Sequence, residues 1–124
     1  MTIKDLTEAL GLENLTPGVV PDDAAIDQGY ASDLLSDVLA NAPGGGVLVT
    51  LQVHLNVLAV ASHAGLKAVI FAGDRRPDEE VLARAAEEEI ALFVTPADTF
   101  SVAGRLYELG IRGTTDIATK EPGA

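Results

Sequence analysis

Three short apolar runs recur along the middle of the chain, and each is followed by a segment whose apolar residues have helical spacing. The runs show no alternation of apolar and polar positions, which is typical of parallel strands covered on both faces. Strand and helix alternating in this way predict βαβ crossovers and a three-layer α/β domain with a mostly parallel central sheet flanked by helices. The predicted strands are residues 47–51, 68–71 and 91–94, and the predicted helices are residues 55–64, a segment opening at Pro77 and a segment opening after Asp98.

These helices carry their own start and stop signals. Pro77 stands at the expected first helical position, with acidic residues in the turn that follows. Asp98 is of the type expected at an N-cap. Gly65 and Gly110 are placed to end the first and last of these helices in a left-handed conformation. The predicted buried faces are Val81, Leu82, Ala85 and Ala86 in the second helix, and Val102, Leu106 and Leu109 in the third.

Upstream of residue 47 the pattern is less regular. Apolar spacing after Thr2 predicts a helix over residues 3–11, with Asp5 completing an imperfect capping box. Residues 13–30 are interpreted as a loop containing one short strand around Val19-Val20. A second helix is predicted over residues 33–41, capped by Ser32, and the glycines at 44–46 are interpreted as a turn. The apolar face predicted for that second helix is Leu34, Leu35, Val38 and Leu39.

Composition limits the class of protein. With 124 residues, 48% of them hydrophobic, the chain predicts a single domain over residues 1–112, followed by a polar, flexible tail at 113–124. A net charge of −11 argues against binding nucleic acid or an anionic membrane surface. No cysteine is present, and the start of the chain does not resemble a signal peptide, so a cytoplasmic location is expected.

Motifs for catalysis are missing from the sequence. Neither a P-loop nor the nucleophile motif GxSxG occurs, and no catalytic residue, cofactor or metal site is predicted. His54 and His63, the two histidines, would lie on opposite sides of one helix, so they are not expected to bind one metal. His63 is interpreted as a solvent-facing helical residue. The acidic run at residues 78–89 is interpreted as a solvated helix face that could also dock a basic partner.

Polar residues follow each of the three predicted strands. Ligands of open parallel sheets bind outside the carboxyl ends of strands, so these loops form the candidate ligand-binding edge. An arginine pair beside a helix amino end is a candidate anion site, although Asp74 could simply neutralise one arginine. The candidate ligand-binding residues are Gln52, His54, Asn56, Gly73, Asp74, Arg75, Arg76 and Thr95.

Several blocks of the sequence resemble the DRTGG domain family. They include Gly29 to Val38, Val49 to Val57, Arg76 to Leu82, Asp98 to Phe100 and Gly104 to Ile111. The chain is similar to stand-alone members likened to the amino-terminal domain of HPr kinase/phosphorylase. In that kinase the chemistry belongs to a separate P-loop domain, so the resemblance implies regulation or subunit pairing and no enzymatic activity. Where relatives carry Asp-Arg-Thr this chain has Gln52-Val53-His54, and where they carry Gly-Gly it has Gly73-Asp74.

The resemblance further implies a homodimer and a protein partner in a redox or hydrogenase system. The leading hypothesis is therefore a non-catalytic regulatory or protein-interaction module. A nucleotide or small-anion sensor that binds at the carboxyl-terminal edge of the sheet is the alternative. A phosphotransferase is the third reading, and it lacks a nucleophile, a base and a stabilising group arranged together.

Overall fold

The computed structural model of the chain describes residues 1–115 and 117, and within them five helices flank one five-stranded sheet. This confirms the predicted α/β fold with a mostly parallel sheet. The elements are α1 (Ile3–Leu10), β1 (Glu13–Asn14), β2 (Gly29–Ala31), α2 (Leu35–Asn41), β3 (Val47–Thr50), α3 (Asn56–His63), β4 (Ala68–Phe71), α4 (Glu79–Glu88), β5 (Ala91–Val94) and α5 (Thr99–Glu108).

The sheet has the order β1-β5-β4-β3-β2. Strands β2 to β5 run parallel, and β1 pairs antiparallel with β5, with Glu13 opposite Val94. In the central register Val47 lies beside Ala68, and Ala68 lies beside Ala91. The carboxyl ends of β3, β4 and β5 therefore meet at one edge of the sheet, called here the carboxyl edge.

Each face of the sheet is covered by its own hydrophobic core. Successive residues of a strand point to opposite faces, so Val49, Ile70 and Phe93 pack with α1 and α5, whereas Leu48, Phe71 and Leu92 pack with α2, α3 and α4. The three central strands are buried at every position. This double covering explains why their sequences are apolar without alternation.

Most local signals act as the sequence indicates. The Asp98 carboxylate accepts a hydrogen bond from the Ser101 amide at 2.7 Å, which confirms the predicted cap. Gly65 and Gly110 both have positive φ. Thr2 and Asp5 form both hydrogen bonds of a capping box on α1. The predicted glycine turn before β3 is present, with Gly45 at φ +81°.

The strand predicted around Val19-Val20 is wrong. These residues lie in a bend, where the Val19 amide donates to the Thr16 carbonyl. Gly18, with φ +81°, and Pro21, which has no amide hydrogen, bracket the pair and prevent an extended hydrogen-bonded run. Val20 is apolar because it contributes to the core beneath the loop.

The helix predicted over residues 33–41 begins later, at Leu35. The hydroxyl of Ser32 accepts from the Leu34 amide two residues on, so Ser32 is not the N-cap. Of the predicted apolar face, only Val38 is buried; Leu34 is 65% exposed and Leu39 is 47% exposed. Spacing alone overestimated this face, because Val38 is the member of it that lies inside the core, while Leu35 packs only partly against that core.

The helix after β4 also begins later than Pro77 suggests. Asp78 is its N-cap, since the carboxylate accepts from the Val81 amide at 3.3 Å. Pro77 therefore precedes the cap, and the helix buries Val81 and Ala85, whereas Ala86 is exposed. The predicted tail over residues 113–124 falls mostly outside the described residues.

Candidate functional site

The carboxyl edge brings several of the predicted ligand residues together. After β4 the chain turns through two left-handed residues, Gly73 at φ +65° and Asp74 at φ +56°. Their amides donate to the carbonyls of Ala97 and Thr95, each at 2.8 Å. Thr95 is buried, and its hydroxyl accepts from the Ala97 amide at 3.2 Å. The loops after β4 and β5 are thus hydrogen-bonded to each other through their backbone amides and carbonyls.

Arg76 is committed to carboxylates of the protein. Its guanidinium donates to both carboxylate oxygens of Glu13, at 2.9 and 3.0 Å, and to Asp74 at 3.1 Å. The paired Arg76 lowers the pKa of Glu13, and Glu13 in turn raises the pKa of Arg76. Glu13 comes from β1, a strand that the sequence does not predict. Neutralisation of one arginine, the alternative noted from sequence, is therefore what the geometry supports.

Gln52 follows β3 and contacts Asp33, the first residue of the helix predicted over residues 33–41. The Gln52 side-chain amide donates to the Asp33 carbonyl at 3.1 Å. The carboxylate of Asp33 accepts from the Thr50 hydroxyl at 3.0 Å and from the Leu51 amide at 2.7 Å. Asp33 therefore joins the ends of β2 and β3, a role that only pairing of these strands reveals.

The remaining predicted residues stay open to solvent. His54, Asn56 and Arg75 are exposed, and their side chains form no hydrogen bond within residues 1–115 and 117. His54 and Arg75 follow adjacent strands, β3 and β4. They are the groups at the carboxyl edge that remain available to a ligand.

Two hollows of the described residues lie along α5. One of about 150 Å³, called here the edge groove, lies between α5 and β2. Another of about 350 Å³, called here the helix cleft, lies between α1 and α5. A third of about 210 Å³ lies at the opposite edge of the sheet, beside Gly45 and Lys67. Of the predicted ligand residues, Thr95 alone lines any of these three hollows.

The outer side of α5 is apolar and exposed. Phe100 is 89% exposed and Tyr107 is 54% exposed. They are seven residues apart and so lie on one side of the helix, with Ala103 between them. Ala103 and Tyr107 also line the edge groove, where the guanidinium of Arg112 lies 3.9 Å from the centre of the Tyr107 ring. This strip is called here the α5 stripe, and the spacing of its two aromatics was available from sequence.

Two classes of site are not observed in the part of the chain that the structure describes. Residues 1–115 and 117 contain no group of three or more histidine, cysteine, aspartate or glutamate side chains placed to hold a metal ion. None of the helices described there has the length and apolar character needed to cross a membrane. His63 is exposed, as predicted.

Comparison with known protein families identifies the family to which the chain belongs. The sequence matches the DRTGG domain family over residues 7–109, most of its length. The chain therefore belongs to the DRTGG domain family, which confirms the resemblance noted from its sequence blocks.

A solved structure shares the fold. It contains the CBS and DRTGG domains of the regulatory region of Clostridium perfringens pyrophosphatase, complexed with its activator, diadenosine tetraphosphate. The two chains are 13% identical and superpose with a TM-score of 0.65 over 94% of this chain. The chain spans about half of that one, 53% of its length. A comparison with curated protein sequences finds no match.

Proposed function

We propose that this chain is a non-catalytic regulatory module that works as a homodimer and pairs through the α5 stripe. The observation that carries the proposal is the distribution of its aromatic residues. The chain has three phenylalanines and two tyrosines. Phe71 and Phe93 are fully buried and Tyr30 is half-buried, whereas Phe100 and Tyr107 share one exposed helix side. An exposed apolar strip of this kind is typical of an interaction surface.

The shape of this surface suits a second copy of the chain. A two-fold interface uses the same patch on both molecules, so the patch must be complementary to itself, and a protrusion beside a hollow is one way to meet that requirement. Phe100 protrudes from the stripe, and the edge groove lies beside Tyr107 with an apolar floor that includes Val49 and Leu106.

Charge favours the same surface for pairing. Two copies with a net charge of −11 repel each other, and the repulsion is weakest where acidic residues are fewest. Residues 99–113 contain two arginines and one glutamate. In contrast, residues 78–89 contain six acidic side chains and one arginine. Two acidic molecules can therefore bring the α5 stripe together at a lower electrostatic cost than the acidic face of residues 78–89.

Light scattering coupled to size-exclusion chromatography tests the proposal. The wild-type chain should elute with twice the 12.8 kDa mass of one copy, and Phe100→Asp should reduce that to a single copy. Leu34→Asp is the matched control, since Leu34 is also an exposed apolar residue, on the opposite layer, and this variant should remain dimeric. A wild-type monomer at high micromolar concentration refutes the dimer. A monomeric Leu34→Asp variant with a dimeric Phe100→Asp variant refutes the surface.

A second candidate function is a nucleotide or small-anion sensor at the carboxyl edge. The observation in its favour is that Arg75 and His54 are exposed at the ends of adjacent strands, with Asn56 close in sequence. In this proposal Gln52, Gly73, Asp74, Arg76 and Thr95 shape the loops that present these groups. The nucleotide complex of the Clostridium perfringens regulatory region makes nucleotides the first ligands to test.

Thermal unfolding with ATP, AMP and diadenosine tetraphosphate tests the sensor. A ligand that binds only the folded chain raises the melting temperature, and Arg75→Ala should abolish the increase. Arg84→Ala, which changes an exposed arginine on α4, is the control. An unchanged melting temperature with all three nucleotides rules out a nucleotide sensor at the carboxyl edge.

We also propose a cytoplasmic location for the module. The absence of cysteine fits a reducing compartment such as the cytoplasm. A protein partner in a redox or hydrogenase system would dock on the dimer, as the family resemblance implies. Co-purification of such a partner with the wild-type chain, and its loss with Phe100→Asp, would identify the dimer as the docking species.

A further inference from the structure

The helix cleft lies on the other flank of α5 from the α5 stripe. Its floor is apolar and is formed by Leu10 of α1, Ala97 and Val102. A volume of about 350 Å³ falls within the range of small-molecule sites in proteins, roughly 300 to 1,000 Å³. The cleft therefore has room for a metabolite with an apolar body.

Both signs of charge lie at the mouth of the cleft. Arg105 and Glu108 are three residues apart on α5, and the nearest guanidinium nitrogen and carboxylate oxygen are 3.7 Å apart. That separation is longer than a hydrogen bond, and both side chains are largely exposed, at 48% and 70%. An exposed pair of this kind contributes little to stability, so a ligand can replace it at low cost.

Hydroxyl groups complete the lining. Thr95 is 5% exposed, and its hydroxyl oxygen accepts from the Ala97 amide. The hydroxyl hydrogen of Thr95 has no acceptor among residues 1–115 and 117, so it is free to donate. Ser101 lies one turn before Arg105 on the same side of α5 and also lines the cleft. The site therefore offers a cation, an anion and two hydroxyls above an apolar floor.

We propose that the helix cleft binds an apolar α-amino acid. Its carboxylate would pair with Arg105 and Ser101, its ammonium group with Glu108, and its side chain would lie on Leu10 and Val102. A zwitterion fits better than a simple anion because the Glu108 carboxylate lies beside Arg105 in the lining and would repel an anion, whereas the ammonium group of a zwitterion can pair with it. The cleft presents both charges that a zwitterion needs.

This inference deepens the proposed regulatory role and rests on it. The cleft uses Ser101 and Arg105, while the α5 stripe uses Phe100 and Tyr107 on a different side of the same helix. A ligand in the cleft would thus contact the element through which two copies pair. In this proposal, binding of an amino acid in the helix cleft is the event to which the regulatory module responds.

Nuclear magnetic resonance of the ¹⁵N-labelled chain tests the site, with L-leucine as the probe. Millimolar L-leucine should shift the amide signals of Ala97, Ser101 and Arg105 in a saturable way. Two fragments separate the ligand classes: 4-methylpentanoate lacks the ammonium group and isopentylamine lacks the carboxylate. Each should bind at least about tenfold more weakly than L-leucine, because it leaves one charge of the mouth unpaired. Equal binding of 4-methylpentanoate would overturn the zwitterion and indicate a simple anion site.

Substitutions of Arg105 and Glu108 test whether these two residues bind L-leucine. Arg105→Ala and Glu108→Gln should each remove the L-leucine shifts, whereas Arg84→Ala, from the exposed Arg84–Glu88 pair on α4, should keep them. No saturable shift with the wild-type chain, or shifts confined to other parts of the molecule, would overturn the proposal. Light scattering on the same samples measures the molar mass independently of ligand binding. A failure of the ligand site is therefore distinguished from a failure of the dimer.

Discussion

The carboxyl edge and helix α5 differ in how completely the chain satisfies its own polar groups. At the edge, Arg76 is paired with Glu13 and Asp74, and the left-handed turn after β4 donates its amides to the next loop. Along α5, aromatic rings and an apolar cleft stay open to solvent, and the charged pair at the cleft mouth is loose. Polar residues at a strand end therefore indicate a site only where the fold leaves them unpaired.

The difference has a physical cause. A polar group that is desolvated without a partner costs about 1–3 kcal/mol, so loops that pack closely are selected to bond one another. The carboxyl ends of three strands meet at this edge, and the loops that follow them must satisfy many backbone groups. Helix α5 satisfies its backbone groups internally, so its exposed side chains are not needed as hydrogen-bond partners for the main chain.

The largest effect is expected within α5 itself. Leu106 is 4% exposed and packs in the core, one residue before exposed Tyr107. Leu106→Asp should unfold the chain, because an unpaired buried charge costs several kcal/mol of a total stability of about 5–15 kcal/mol. Tyr107→Asp, the neighbouring control, should leave the circular dichroism melting curve cooperative. Equal loss of structure in both variants would show that the α5 stripe is part of the core.

An intermediate effect is expected at the carboxyl edge. Asp33→Ala removes the acceptor of the Thr50 hydroxyl and the Leu51 amide, and should lower the free energy of unfolding by about 1–3 kcal/mol. Asp33→Asn keeps an acceptor oxygen and should retain most of that stability. Urea denaturation measures both variants. If Asp33→Ala is as stable as the wild type, the edge is not held by this network, and its polar groups are available for a ligand.

The smallest effect concerns the Glu13–Arg76 pair, which is exposed. Arg76 lowers the pKa of Glu13 from its ordinary value of 4.5. A lowered pKa in the folded chain adds stability above the ordinary value, and that stability is lost as the pH falls through the lowered value. The wild type should therefore melt slightly above Arg76→Ala at pH 7, and the difference should vanish in acid. Arg75→Ala should show no such pH-dependent difference; an identical profile for both variants would contradict the pairing.

Much of the fold could be predicted because its signals are local. The strands from Val47, Ala68 and Ala91 are covered on both faces, so their apolar character is continuous along the chain. The cap at Asp98 and the left-handed glycines depend on a few neighbouring residues. The predicted ligand residues follow β3, β4 and β5 along the chain. Their use as a ligand site remains a prediction.

Other features of the fold depend on residue pairs that are far apart in sequence, so they appear only once the chain has folded. Strands β1 and β2 are two and three residues long, and no local pattern distinguishes them from loop until β5 and β3 pair with them. Glu13 and Arg76 are 63 residues apart, so their mutual neutralisation appears only when β1 joins the sheet. The exposure of Phe100 and the opening of the helix cleft likewise depend on how α1 and α5 pack. An amphipathic sequence predicts that one face of a helix is buried, but the packing of neighbouring elements determines how much of that face is covered.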